Sequence, residues 1–356
     1  MAAVIKYLGS KRRLVPALAE ICARSGARSA IDLFTGTTRV AQAFKALGVH
    51  VTAVDSAAYA HVFARCYVQT DGDTVDRAAL RSELARLNAL PGVDGYVTET
   101  FCRQSRFLQP RNGARVDAIR AAIAAEHGGS PLEPVLLTSL IEAADRVDST
   151  TGVQMAYLKA WAPRARGALE LREPGLLPGP GAAVHGDAVA LAASLPEADL
   201  AYLDPPYNQH SYRGNYHVWE TIALGDAPPH YGVACKREDC RDPTRRSPFN
   251  SKPRFRDALA HVVAAVPARL VVLSYSDEAW LSLEDLVELC APRGEVAVLA
   301  FDSARYVGAR IGIHDPDGRR VGQVGRLRNV EYVVVAGAPA DVAHAVAPWQ
   351  GTAAAA

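Results

Sequence analysis

Ala198-Asp-Leu-Ala-Tyr-Leu-Asp-Pro-Pro-Tyr207 reads as a buried strand that stops abruptly at Asp204-Pro205-Pro206-Tyr207. Two consecutive prolines lack N–H donors and fix φ, so the chain can neither extend a strand ladder nor start an ordinary helix there. It has to leave the sheet, with a carboxylate and an aromatic ring held on a stiff turn. Asp204 and Tyr207 are therefore expected at the carboxyl edge of a sheet, where open α/β folds bind ligands. Taken alone, the tetrapeptide also suits a rigid loop with a capping aspartate.

Upstream, two more strands end in acids. In Ser29-Ala-Ile-Asp-Leu-Phe-Thr-Gly-Thr-Thr-Arg-Val-Ala41 a short apolar strand ends at Asp32, a turn containing Gly36 follows, and a helix begins. This strand–turn–helix opens a nucleotide-binding α/β unit, but the single glycine is not a dinucleotide fingerprint. Val49-His-Val-Thr-Ala-Val-Asp55 ends in an acid placed to accept both hydroxyls of a ribose. Either acid alone suits a cap; the two together favour a nucleoside ligand. Before them, Lys6-Tyr-Leu-Gly-Ser-Lys11 has a tight turn at Gly9-Ser10 whose N–H groups, with Lys11, suit an anionic group such as a carboxylate, although alone the stretch reads first as an ordinary helix start with a solvated lysine.

From residue 57 to about 181 helical patterns dominate, at 59–68, 74–90, 116–127 and 132–147, interrupted by a loop or irregular ribbon at 92–113. Residues 174–181, Pro-Gly-Leu-Leu-Pro-Gly-Pro-Gly, have a linker composition. The interval exceeds an ordinary connection between strands, so it is expected to be a helical unit inserted between the second and third strands. The sheet resumes at 182–187, ending in Gly186-Asp187, and continues at 199–203, 269–275, 295–301 and 330–336. Asp315-Pro-Asp-Gly318 is a hairpin-like turn. Seven strands, with the last two joined without a long helix, make an α/β fold that resembles the sheet of class I methyltransferases. The catalytic unit is then 1–59 with 182–346, the inserted unit is 60–181, and 347–356 is a tail with no reason to be ordered.

The chain has 356 residues, 49% apolar and 22% charged, with a net charge of +1. That length suits one large domain with an insertion, or two domains. No apolar run is long enough to span a membrane, and the N-terminal apolar stretch is too short for a secretory signal, so cytoplasmic residence is the default expectation. Six scattered cysteines without a C-x-x-C pair argue against a disulfide framework and a zinc ribbon. Cys235 and Cys240 with His230 lack an evident fourth ligand, and no metal is expected. With so little net charge, a polyanion must be met by a local basic patch. One patch lies at 102–120, with Arg103, Arg106, Arg111, Arg115 and Arg120. The other lies at 236–256, a proline-punctuated loop with Lys236, Arg237, Arg241, Arg245, Arg246, Lys252, Arg254 and Arg256.

The motifs in their order, Lys6-Tyr-Leu-Gly-Ser-Lys11, Asp32-Leu-Phe-Thr-Gly36, a long insertion and Asp204-Pro-Pro-Tyr207, resemble the alpha-class DNA adenine methyltransferases, with their Dam-like and FokI-type modification enzymes. The resemblance covers about two thirds of the chain. Asn215-Tyr-His217, Glu220-Thr221 and Phe249-Asn-Ser251 are similar to the FokI-type enzymes in particular. It implies a Rossmann-like catalytic sheet, S-adenosyl-L-methionine as cofactor and site-specific transfer of its methyl group to the N6 amine of adenine in double-stranded DNA. In this pattern Asp204 and the Pro205 carbonyl accept hydrogen bonds from the amine, Pro206 completes the stiff turn, and Tyr207 offers its face to a base flipped out of the duplex. Asp32, Phe34 and Gly36 line the methionine and ribose end of the cofactor, Asp55 takes the ribose hydroxyls, Tyr7 and Lys11 bracket the methionine, and Asp187 or its neighbours meet the adenine. Thr37-Thr38-Arg39 departs from the family, where many relatives carry a second glycine.

The insertion occupies the family's usual recognition position. Its 92–120 portion mixes Tyr96, Phe101 and Phe107 with Gln104 and arginines, which suits groove and base contacts. The 236–256 loop suits phosphates near the flipped base. A restriction endonuclease is a possible partner of such an enzyme. Competing readings keep the fold and change the acceptor, to cytosine N4 in DNA or adenine in RNA, or keep DNA binding and lose catalysis. Asp204 where cytosine enzymes more often carry serine disfavours the first, and the long insertion disfavours a small RNA enzyme. The intact Asp204 and Tyr207 disfavour the last.

Overall fold

Ile31, Ala53, Val54, Leu200, Ala201 and Leu203 are fully buried, in short runs that leave little place for polar side chains. Such runs make strands covered on both faces, which is what a parallel sheet requires. The computed structural model describes residues 5–9, 11–207, 209, 211–304, 313–314, 320–322 and 328–350. Its main sheet contains β1 (Ser29–Asp32), β2 (His50–Asp55), β3 (Ala182–His185), β4 (Ala198–Leu203), β5 (Ala268–Ser276), β6 (Glu295–Ala304) and β7 (Arg328–Gly337). The order across the sheet is β3-β2-β1-β4-β5-β7-β6. β7 runs antiparallel between β5 and β6, and the other pairings are parallel. The seven-stranded methyltransferase-like sheet read from the sequence is present. From β1 the chain steps outward through β2 and β3, then returns to place β4 on the other side of β1. The strand order therefore reverses between β1 and β4, and a crevice opens beyond their carboxyl ends.

The longer α-helices among the described residues, in chain order, are α1 (Val15–Arg24), α2 (Arg39–Ala46), α3 (Ala58–Ala64), α4 (Arg77–Ala89), α5 (Pro110–His127), α6 (Glu133–Arg146), α7 (His217–Leu224), α8 (Lys252–Ala265), α9 (Leu283–Cys290) and α10 (Pro339–Val346). Leu18, Ile21, Phe44 and Val342 pack α1, α2 and α10 on one face of the sheet. Leu259, Val262 and Leu286 pack α8 and α9 on the other. A third core holds Phe63, Leu80, Ile119, Leu140 and also Trp219 and Ile222. The helical lobe is thus filled by α3 to α6 together with α7, which follows Asp204-Pro-Pro-Tyr207 in sequence. The interval 60–181 does not complete that core without α7. Arg120 on α5 ties the two segments further, donating to the carbonyls of Ile222 at 2.8 Å and Ala223 at 3.3 Å. α7 ends at Gly225, whose φ is +66°, and a Cβ there would run into the Arg120 guanidinium.

Several local expectations change. Residues 97–104, expected in a loop, form a π-helix (Val97–Gln104), and a second π-segment (Arg65–Gln69) continues α3. Residues 169–176 form a strap in which Leu169, Leu171 and Leu176 are buried, so the start of the expected 174–181 linker packs against the core. The strap's backbone is paired by side chains, with Leu169 N–H donating to Asn112, Leu171 N–H to Asn88 and Arg172 N–H to Ser139. The expected tail begins with a 3-10 turn (Ala347–Trp349) whose Trp349 ring meets Phe301 edge-on, centroids 6.5 Å apart. Lys252 begins α8 rather than lying in a loop, because Pro253 suits a first helical turn. The turn at Asp315-Pro-Asp-Gly318 lies outside the described residues, as do Ser10 and 351–356. Among the described residues no helix is long and apolar enough to cross a membrane.

Candidate active site

The crevice beyond β1 and β4 is a cleft of ≈ 530 Å³. Three of its carboxylates come from strand ends: Asp32 closes β1, Asp55 closes β2, and Asp204 follows β4. Asp55 is fixed by two backbone donors, Gly36 N–H to Oδ2 and Ala57 N–H to Oδ1, each at 2.9 Å. Each oxygen keeps a lone pair for a further donor. Asp32 is buried; Oδ2 accepts from the Thr35 hydroxyl at 3.0 Å, while buried Oδ1 has no partner. Burial pushes its carboxyl up to about 7, the Thr35 bond partly offsets this, and Asp204 and Asp55 raise it further. An unpaired buried acceptor among acids calls for a donor-rich, cationic ligand group. Gly36 has φ +49°, and a Cβ there would press on the Tyr7 ring at 3.2 Å. Glycine keeps this turn close to the tyrosine.

The Tyr7 ring stacks on Tyr216 at 4.7 Å and on Tyr212 at 5.3 Å, and its hydroxyl lies 3.3 Å from that of Tyr59. Tyr7, Phe34, Gly36 and Asp187 line the cleft. Asp187 has a second occupation, because its Oδ1 caps the turn that follows by accepting from Val189 and Ala190 N–H. Lys11 differs more. Its Nζ lies 3.2 Å from Asp204 Oδ1 and 3.1 Å from Glu331 Oε2. The anion it holds is the protein's own. Burial alone would lower the Lys11 pKa, but Asp204, Tyr207 and Glu331 hold it well above the ordinary lysine value.

Asp204 reaches the cleft with Pro206, while Pro205 is buried. Burial pushes the Asp204 carboxyl up to about 6; Lys11 opposes the shift and Glu331 adds to it. The half-buried Tyr207 ring packs against Tyr275, centroids 5.5 Å apart, with the Lys11 ammonium 5.7 Å from its centroid. Tyr212 and Arg213, which no sequence motif marks, also line the cleft. Glu331 was likewise missed. Its signal is a lone acid in the otherwise apolar run Val330-Glu-Tyr-Val-Val-Val335.

Residues 7–288 match the family described as D12 class N6 adenine-specific DNA methyltransferase. The chain belongs to this family. It is 28% identical over 303 residues to the modification methylase StsI of Streptococcus sanguinis, covering 80% of this chain and 46% of that one. It is 29% identical over 318 residues to the type II methyltransferase M.NlaIII of Neisseria lactamica, covering 85% and 92%. To the type II methyltransferase M.FokI of Planomicrobium okeanokoites it is 27% identical over 311 residues, covering 82% and 47%. The chain thus spans about half the length of the StsI and FokI enzymes and nearly all of the NlaIII alignment partner.

In this D12-family chain the basic segments divide by what already occupies them. Phe101 and Phe107, expected at a groove, are fully buried in the helical core, and the half-buried Tyr96 donates to the Pro228 carbonyl at 2.6 Å. Arg103 pairs with Asp94 and Glu99. Arg106 lies over the Trp161 ring at 4.8 Å, and Arg111 donates to the Arg166 carbonyl. Gln104 reaches His230 at 2.9 Å. Arg237 is no surface cation: 4% exposed, it pairs with Asp226 at 2.6 Å and Asp239 at 3.1 Å. Half-buried Lys236 shares a two-residue ribbon with Tyr231, and Arg241 lies 3.4 Å over the Tyr231 ring. Lys252 is exposed. Arg245 and Arg246 line the cleft with Arg39 and Arg213. Arg245 is half exposed beside Asp239, and Arg246 donates to the Asn250 carbonyl at 3.4 Å. Among the FokI-type signatures, His217, Glu220 and Phe249 are buried, and Asn250 lines the cleft.

Proposed function

We propose that the chain transfers a methyl group from S-adenosyl-L-methionine to the N6 amine of an adenine in double-stranded DNA, at a specific sequence, as a cytoplasmic modification enzyme that can accompany a restriction endonuclease. The observation that carries it is Asp204, a carboxylate beside an acid-lined cleft at the topological switch point in a D12-family chain. Asp55 would accept the ribose hydroxyls. The unpaired Asp32 Oδ1 would answer the positive methionine end, beside Phe34, Gly36 and Tyr7. When bound, the cofactor supplies an electrophilic methyl on a positive sulfur.

The protein's part is to polarise and position. The adenine amine is a poor nucleophile because its lone pair is delocalised into the ring. Asp204, and the Pro205 carbonyl, would accept its two N–H groups and draw the nitrogen toward tetrahedral geometry, which localises the pair. The localised pair would then face the methyl group that the cofactor supplies, and the proton that the methylated nitrogen sheds would pass along its hydrogen bond to Asp204. A duplex hides that amine, so the base has to be flipped into the cleft. Arg39, Arg213, Arg245 and Arg246 at the cleft suit the phosphates around it. The helical lobe is the proposed reader of sequence.

Tritium transfer from labelled cofactor to duplex DNA, followed by sequencing of methylated host DNA, tests the activity. N6-methyladenine at one recurring short site is expected. Label in cytosine, or none at all with DNA bound tightly, overturns the proposal. Neutralising Arg245 and Arg246 together with Arg241 should weaken DNA binding and reduce the slope of log K against log[salt] by about two to three units, about one per lost phosphate contact. A titration with an unchanged slope removes the phosphate role.

A further inference from the structure

We infer that Glu331 is a positioning residue for the transfer, sharing the Lys11 ammonium with Asp204 so that Asp204 keeps an oxygen open to the acceptor amine and the group stays net negative. The inference rests on the proposed adenine reaction. Lys11 is buried and reaches Asp204 Oδ1 at 3.2 Å and Glu331 Oε2 at 3.1 Å. Two carboxylates and one ammonium leave one uncompensated negative charge. Without Glu331, Lys11 would belong to Asp204 alone, neutralise it and compete with the amine for its lone pairs. Glu331 can hold the lysine because β7 lies two strands from β4, in antiparallel register with Ser276 of β5.

The other groups facing Asp204 are Asp32 at the end of β1, Tyr202 on β4, and Tyr207 and Tyr212 beyond it. The tyrosines are neutral over the working range. Asp32 stays in place in every variant below. Asp204 has to be ionised to accept the amine, so at saturating cofactor wild-type transfer should fall as pH drops through about 6, below the contribution of Asp32 at about 7, which every variant shares. Loss of the Glu331 charge removes a like charge and commits Lys11 to Asp204. Both effects lower the Asp204 pKa.

The test is single-turnover tritium transfer by Glu331→Gln across the range from about pH 5 to about pH 9. The plateau should drop about tenfold while the acid limb moves down by roughly one pH unit, with cofactor affinity and melting temperature held. Glu331→Asp, which keeps the charge, should return the limb to the wild-type position. A lower plateau with an unmoved limb, or no change at all, overturns the inference. If Glu331→Gln does not fold, the Lys11→Met protein replaces it as reference. Its acid limb should lie above wild type, and adding Glu331→Gln should bring it back down; an unmoved limb there also overturns the inference. Failure of the wild type to methylate adenine refutes the functional proposal separately, before any variant is compared.

Discussion

Asp204→Ala should reduce methyl transfer by at least about 10²–10³-fold while leaving the cofactor site able to load. In the proposed reaction the methyl arrives on an already positive sulfur, so the barrier lies in making the amine nucleophilic and aligning it. Removing the acceptor that localises the lone pair removes that preorganised electrostatic contribution. The variant should still fold, because Lys11 keeps Glu331 as a partner at 3.1 Å and is not left as an unpaired buried cation. Asp32, Asp55 and Gly36 are untouched, so cofactor affinity by calorimetry should stay within a few-fold. Single-turnover transfer checks the rate. A variant that turns over within tenfold of wild type would falsify the role given to Asp204.

Arg237→Ala should destabilise the fold by about 3 kcal/mol, the low end of the cost of breaking a buried ion pair. Arg237 is nearly inaccessible, and its fork meets Asp226 through two nitrogens, at 2.6 Å and 2.7 Å, with further bonds to Asp239 and to the Thr221 hydroxyl. The low end applies because the Asp226 side chain is 40% exposed and recovers solvent when its partner goes. Thermal melting should show a drop of several degrees. The salt slope of DNA binding by the folded fraction should be unchanged, in contrast to the Arg241, Arg245 and Arg246 variant. A changed slope with unchanged melting would reverse the assignment and return Arg237 to the phosphates.

The strand ends were legible because three consecutive features of the chain, apolar run, acid, turn, fix both a place in the sheet and a chemistry. Asp32, Asp55 and Asp204 converge as that pattern requires. Charge is harder to read. Counting cations in 236–256 cannot tell Arg245, half exposed at the cleft, from Arg237, whose partner Asp226 lies eleven residues away and is brought in by folding. Aromatics are equally ambiguous: Phe101 and Phe107 sit among arginines in sequence, but a π-helix turns Phe101 into the core, and the bend after it brings in Phe107, whose N–H donates to the Phe101 carbonyl at 3.0 Å. Lys11 looked like a ligand's partner because its own partners are 193 and 320 positions away. Glu331 had a visible signal in an apolar strand, but no motif to attach it to.

The core that joins α3 to α6 with α7 bears on engineering a different target sequence into this scaffold. A chimaera exchanging only 60–181 would bring foreign helices against Trp219 and Ile222, and Arg120 would no longer meet the end of α7. The transplantable module is two-part, and its second part begins just after the turn at Asp204. With the lobe as the proposed reader of sequence, sequence preference and the geometry of the acceptor pocket would be tied to one another, and a donor lobe has to bring its own counterpart of α7.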